Sequence, residues 1–433
     1  MPTPPTLPTS RATLPAALLA VVLLTVAAAL SVPPPHPAPD DRAACTGQAP
    51  AGWSADPGPT AAFARYGDDN TRTDDWTGGD GTHSVRLPDG RTLWLFSDTF
   101  LDRVHPPPNP QGQPYRWRTT ATGATPYLRH NSLVVMSPAG VPERTLTGGT
   151  PAAPGPFFPD PPGGGWRWPV HAAVELRAPG SADRVVRVLL WNRVPGTGAW
   201  AFGKPRGTEV ATLSLPGLHL ESITPVATQP AATDPARRVL YGTAAVRDGA
   251  WTYVYGGDDP PATPADSAYL ARVPAGRLAD PAAWRFWDGA RWQPDAGRAA
   301  PVLRGGGRRG TGSAFTVARA GGAWVLLTMD TPAGGAAGLR TFTGYWSCAP
   351  QGPWHGPAGQ ITPPRPAGPD PAHIAVYNPQ FHPEFTTGAG LLVSYDVNWL
   401  GPPGAPADPV VNGDVELYRP RFLRVRFAPA AGR

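Results

Sequence analysis

Apolar residues along this chain fall into short solid blocks separated by polar, glycine- and proline-rich turns, and no stretch sustains a helical 3.6-residue period. From residue 60 onward one order recurs about every 60 to 80 residues: a polar-rimmed strand, a turn, a strongly apolar strand, then one or two further strands. The units open near Asp80, Val170, Leu240, Gly312 and Tyr377. Their apolar blocks are Thr92–Phe96, Val186–Trp191, Trp251–Tyr255, Trp324–Leu327 and Leu391–Tyr395. Outer strands are expected at Ala268–Val273, at Trp284–Asp288 leading to Trp292, and near the end at Val415–Tyr418 and Leu423–Phe427. Five such units predict radial repetition, an all-β five-bladed β-propeller. A β-sandwich with an appended sheet would accommodate the same strands.

Composition supports many short strands. The chain has 433 residues with 60 Pro and 51 Gly, both of which interrupt helices. Its 16 Trp and 41% hydrophobic content supply the apolar surface that a disordered chain lacks. The formal net charge of +5 does not point to nucleic acid, because the arginines are scattered and Lys204 is the only lysine. A neutral or weakly charged ligand is expected instead.

The start of the chain sets the compartment. Residues 14–32 form its one long apolar run, with Arg11 before it and Ala27, Ala28 and Ala29 offering a cleavage site. The run is either a cleaved signal peptide or a retained membrane anchor, and both place the rest outside the cytoplasm. The expected organisation is a signal or anchor at 1–32, a Pro-rich linker and lead-in at 33–59, and a propeller at 60–428. Export permits the two cysteines, Cys45 and Cys348, to form a disulfide that latches the start of the ring. Asp40, Asp41 and Arg42 separate Cys45 from the apolar run, which excludes a lipoprotein cysteine. No metal-ligand spacing occurs, and no metal or other cofactor is expected.

The chemistry concentrates in one hairpin. Leu87-Pro88-Asp89-Gly90-Arg91 reads as a type I turn followed by a glycine bulge, so Leu87 faces Arg91 and paired residue numbers sum to 178. Run outward, that ladder sets Asp80 opposite Asp98. Adjacent carboxylates destabilise a strand pair and push one pKa up, which suits a site needing one acid and one carboxylate. Glycosidic hydrolysis has that need. Gly78, Gly79 and Gly81 would leave room for a ligand beside Asp80. Asp80 and Asp98 would otherwise be ordinary turn residues.

The same residues carry a resemblance. Gly79-Asp80-Gly81 with Ser84-Val85, and the run Leu87 to Thr99, resemble the first-blade signature of the DUF4185 family. His130-Asn131-Ser132, Ala268 to Trp287, Tyr377-Asn378-Pro379 and Ser394-Tyr395-Asp396 are similar to its later segments, so the resemblance covers about residues 60–428. It implies a five-bladed propeller and an endo-acting D-arabinanase of mycobacterial-type cell walls. It also implies paired catalytic aspartates, which fall on Asp80 and Asp98.

A propeller binds ligands where its inner strands begin. Substrate contacts are therefore expected from His130, Asn131, His171, Glu175, Asn378, Gln380, Asp396 and Asn398, each of which could instead be a turn or capping residue. Trp76 could stack on a sugar or pack between blades. His83 reads as structural. The expected protein is a monomeric glycoside hydrolase acting on a polysaccharide, touching a membrane only through an uncleaved residue 14–32 segment. Inversion is the expected stereochemical course. A non-catalytic carbohydrate-binding propeller is the other reading, and would keep its binding without the two aspartates.

Overall fold

The computed structural model describes residues 45–72, 76–122, 128–200, 202–260, 266–307, 309–330, 339–402 and 408–430. The apolar run at 14–32 and the Pro33–Pro39 stretch lie outside the described residues. Among the described residues no helix is long and apolar enough to cross a membrane.

Five antiparallel sheets make a five-bladed β-propeller. Blade one runs His83–Arg86, Thr92–Phe96, Ser132–Met136 and Pro142–Leu146 from the inside out. Blade two runs Trp166–Leu176, Arg184–Val194, Lys204–Ser214 and Leu220–Val226. Blade three runs Leu240–Asp248, Trp251–Gly257, Ala268–Pro274, Arg285–Trp287 and Trp292–Gln293. Blade four runs Phe315–Ala320, Ala323–Met329, Phe342–Ser347 and Gln360–Ile361. Blade five runs Ile374–Thr387, Gly390–Trp399, Arg421–Pro429 and, outermost, Gln48–Ala55. The five inner strands touch one another in a closed ring.

Blade packing explains the solid apolar blocks. Each sheet is covered on both faces by its neighbours, so the second strand loses its polar alternation. Thr92–Phe96 is buried at all five positions. The core divides into five clusters, one at each blade-to-blade seam. The seam between blades five and one differs from the rest. It is built from Phe63, Trp76, Trp94, Phe96 and Phe422, and a helix supplies its Phe63 and Tyr66.

That helix, Pro57–Asp68, was not expected from the apolar spacing. Asp56 caps it through Oδ1, which accepts the Gly58 N–H at 3.2 Å, and Pro57 occupies the first turn. Two further expectations are corrected. The ring begins at Gln48, not residue 60, because Gln48–Ala55 pairs with Arg421–Pro429 and closes blade five. Val415–Tyr418 forms a short 3-10 turn behind the site, not a strand. Cys45 and Cys348 form a disulfide with Cα atoms 5.7 Å apart, joining the chain just ahead of that closing strand to blade four.

Candidate active site

An antiparallel hairpin brings the start of its first strand and the end of its second to the same edge. In a propeller those edges converge at one mouth of the channel, and here they enclose a cavity of about 300 Å³. Blade one contributes Asp80 and Asp98, blade two Trp168 and Arg193, and blade five Tyr377 and Asn398.

The hairpin register follows from its turn. Leu87 N–H donates to Arg91 O, and the pairs Arg86–Thr92, Ser84–Trp94 and Gly79–Thr99 keep one register along both sides. Between them Asp80 N–H donates to Asp98 O at 3.2 Å, and Ser97 N–H donates to Asp80 O at 2.7 Å. The two aspartates therefore stand opposite each other on one wall. The glycines do not make room for a ligand. A Cβ on Gly78 would lie 2.3 Å from Tyr418 O, and Gly81 sits at φ +67° with Ser97 Oγ 2.4 Å from where a Cβ would be. They let three chain segments close on Asp80.

The two carboxyl groups meet different surroundings. Burial pushes the Asp80 pKa well above the usual carboxylate range, and the charges of Asp98 and Asp396 push it further. Asp80 Oδ2 accepts the Tyr377 hydroxyl at 2.9 Å, which works against that rise. Asp80 Oδ1 is closed to solvent and has no hydrogen-bond partner among the described residues. Asp98 is a quarter exposed, and its Oδ1 accepts the Trp168 indole N–H at 2.9 Å.

Asp396 is a third carboxyl group, but it does not reach the cavity. It is 1% exposed, accepting Gly81 N–H and the Thr82 hydroxyl at 2.7 Å each and the Asn378 amide at 3.2 Å. It pins the turn that carries Asp80 and adds negative charge behind it. Burial raises its own pKa to about 6.

The remaining sequence candidates divide. Asn378, Gln380 and Asn398 line the cavity. Asn398 Oδ1 is buried there with no hydrogen-bond partner among the described residues. His130 stands at the edge, its Nδ1 3.4 Å from Asp98 Oδ1 and its ring stacked on Trp166. Three candidates are corrected to structural roles. Trp76 is fully buried in the aromatic seam. Asn131 is fully buried, donating to Phe158 O and Arg167 O and accepting Phe158 N–H. Glu175 accepts the Gly276 and Leu278 N–H groups at the far end of its strand. His171 falls within the channel, its ring 6.3 Å from that of His83, and burial lowers its pKa to about 4. His83, read as structural, lines the cavity, and burial, with His171 and His382 nearby, holds its pKa well below the usual histidine range.

Sequence reasoning missed Trp168, Arg193, Asp259, Tyr377 and Tyr418. Trp168 and Arg193 sit at the strand edge of blade two that corresponds to Asp80 and Asp98 in blade one, so blade-by-blade alignment would have found them. Asn131→Ala should lower stability by about 1–3 kcal/mol, because it leaves Phe158 N–H and two carbonyls unpaired in the interior. Urea unfolding would measure this, and an unchanged midpoint would contradict the structural role.

The chain belongs to the family described as Domain of unknown function (DUF5005), which matches residues 63–427. No curated protein matches the sequence significantly. Among solved structures the chain is similar to a candidate hydrolase from Bacteroides ovatus ATCC 8483, with 19% identity, 86% of this chain and 90% of that chain covered, and a TM-score of 0.59. More distant likenesses are the GH43_1 enzyme from Xanthomonas citri complexed with xylotriose (14% identity, 87% and 94% covered, TM-score 0.41) and an alpha-L-arabinanase from Cellvibrio cellulosa complexed with arabinohexaose (9%, 61% and 72%, 0.35). The first likeness is one of fold, and the other two are too remote to carry more. The resemblance to DUF4185 rests on the motifs of the chain alone.

Proposed function

We propose that this DUF5005 chain is an exported glycoside hydrolase cleaving furanoside linkages, with Asp80 as general acid and Asp98 as general base. The observation that carries the reading is one pair of facing carboxyl groups held in opposite environments on a cavity wall. Asp80, desolvated and beside two other carboxylates, keeps its proton above the pH at which an ordinary aspartate ionises. It gives that proton to the leaving glycosidic oxygen as the bond to the anomeric carbon breaks. Asp98, oriented by Trp168, takes a proton from the water whose oxygen bonds to that carbon. Each turnover leaves Asp80 ionised and Asp98 protonated, and solvent restores both. Inversion of the anomeric carbon follows from this course. An endo-acting D-arabinanase is the finer reading, supported by the first-blade motif.

The test is release of reducing ends from mycobacterial-type arabinogalactan by the purified protein. Release supports the hydrolase and the substrate. Retained binding without release would favour a carbohydrate-binding propeller instead.

The pH profile should follow Asp80, since the acid must be protonated and activity falls as pH rises through its pKa. The Tyr377 hydroxyl stabilises the ionised form, so Tyr377→Phe should move the alkaline limb of kcat/KM to higher pH. Asp396 acts oppositely: Asp396→Asn removes a negative neighbour and should move that limb to lower pH. Limbs that stay in place in both variants would remove Asp80 from the acid role.

A further inference from the structure

Phe202 is 67% exposed, the most exposed large apolar side chain among the described residues, yet it lines the cavity. It stands on the connection between the second and third strands of blade two, beside Trp200, which also lines the cavity. A single exposed apolar ring is ordinary, but two aromatic rings together at the rim of a ligand-sized cavity are not.

The backbone beneath this ring is firmly held. The Arg193 side chain is 4% exposed. Its Nε donates to Phe202 O at 2.9 Å, and its Nη2 donates to Gly203 O at 2.7 Å and to Asp259 Oδ2 at 2.6 Å. Gly203 lies at φ +81°, with Trp166 2.5 Å from where its Cβ would be. Arg193 also lies over the Trp168 ring at 5.4 Å, and Trp168 holds Asp98. A continuous chain of contacts therefore runs from the reacting carboxylate to the displayed ring. Along it the charge is balanced. Arg193 is the one cationic side chain on the cavity wall among the described residues, and Asp259 neutralises it. Asp80 and Asp98 leave no cation for an acidic sugar.

We infer that Trp200 and Phe202 form a stacking platform for a sugar unit remote from the cleavage point, so that the cavity takes an extended neutral polysaccharide and rejects one bearing carboxylates. The inference rests on the glycosidase reading for its cleavage point, but not for its binding. Arg193 is a positioning residue, holding the platform at a fixed distance from Asp98. Sugar faces present C–H groups that pack on aromatic rings, and a ring fixed by its backbone binds with little ordering cost.

Binding is best measured in the Asp80→Asn background by native affinity electrophoresis in arabinogalactan, debranched arabinan, xylan, galactan and polygalacturonate. Retardation by a neutral polysaccharide is expected, and none by polygalacturonate. Phe202→Ala should weaken that retardation about tenfold, and Phe202→Trp should restore it. The exposed position makes misfolding of either variant detectable by its unfolding midpoint. Equal retardation of Phe202→Ala and its parent, retardation by polygalacturonate alone, or retardation by none of the five would overturn the inference. Failure of the glycosidase reading looks different: binding follows the expected pattern, but the unmodified protein releases no reducing ends.

Discussion

Asp80→Asn is expected to lower turnover by about a hundredfold to ten-thousandfold while leaving the protein at least as stable as its parent at neutral pH. The first part follows from its role, since general acid catalysis contributes roughly that range. An amide keeps the shape and can still accept the hydroxyl of Tyr377, but it cannot act as the acid. The second part follows from linkage. The folded-state pKa of Asp80 is raised, so the native state binds more protons than the unfolded chain across the interval between the two pKa values. Stability therefore falls as pH rises through that interval. At neutral pH the acid is a net cost to folding, and the neutral amide removes it. Asp98→Asn should lose as much activity, because the amide cannot take a proton from water. Paired kinetic and thermal unfolding measurements would check both. A loss of activity accompanied by a fall in Tm would show instead that the pair holds the hairpin together.

Removing the disulfide is the second large effect. Cys45 and Cys348 are separated by 303 residues, and chain-entropy accounting places the constraint of so long a loop at about 6 kcal/mol, an upper bound that measured losses seldom reach. A Cys45→Ser/Cys348→Ser variant should therefore lose about 2–5 kcal/mol of stability. The position of the bond sharpens this. The strand Gln48–Ala55 is the outer edge of blade five and joins the start of the described chain to its end through one antiparallel ladder. Untying it leaves that ladder open to fraying from its Gln48 side. Urea unfolding should show one lowered midpoint shared by the variant and the reduced parent, below that of the unreduced parent. An unreduced parent that unfolds at the same urea concentration as the variant would show that the ladder closes the ring unaided.

The sequence was most informative where structure is local. The turn at Leu87–Arg91 sets the hairpin register, and the same register resumes at Gly79–Thr99, just beyond Asp80 and Asp98. The solid apolar blocks found the second strand of all five blades, since only a sheet covered on both faces buries every residue of a strand. Where the signal was ambiguous, it misled. Asp56-Pro57-Gly58-Pro59 fell in the expected Pro-rich linker and lead-in, yet the proline fits the first turn of a helix and the aspartate caps it. Asn131, Glu175 and Trp76 have the residue types of a sugar site, but a buried polar group bonded to backbone and a tryptophan in a seam look the same in a sequence.

The difference between the surroundings of the two carboxyl groups was decided by tertiary structure alone. Asp80 owes its raised pKa to burial, and to Asp98 and Asp396, the latter brought from blade five more than 300 residues away. Asp98 is oriented by a tryptophan of blade two, and the displayed Phe202 is held by an arginine of its own blade against an aspartate of blade three. Hydrogen-bond register propagates along a strand and leaves a periodic trace in the sequence. Desolvation and charge arise from whatever the closed ring packs against a group, and no spacing along the chain records that.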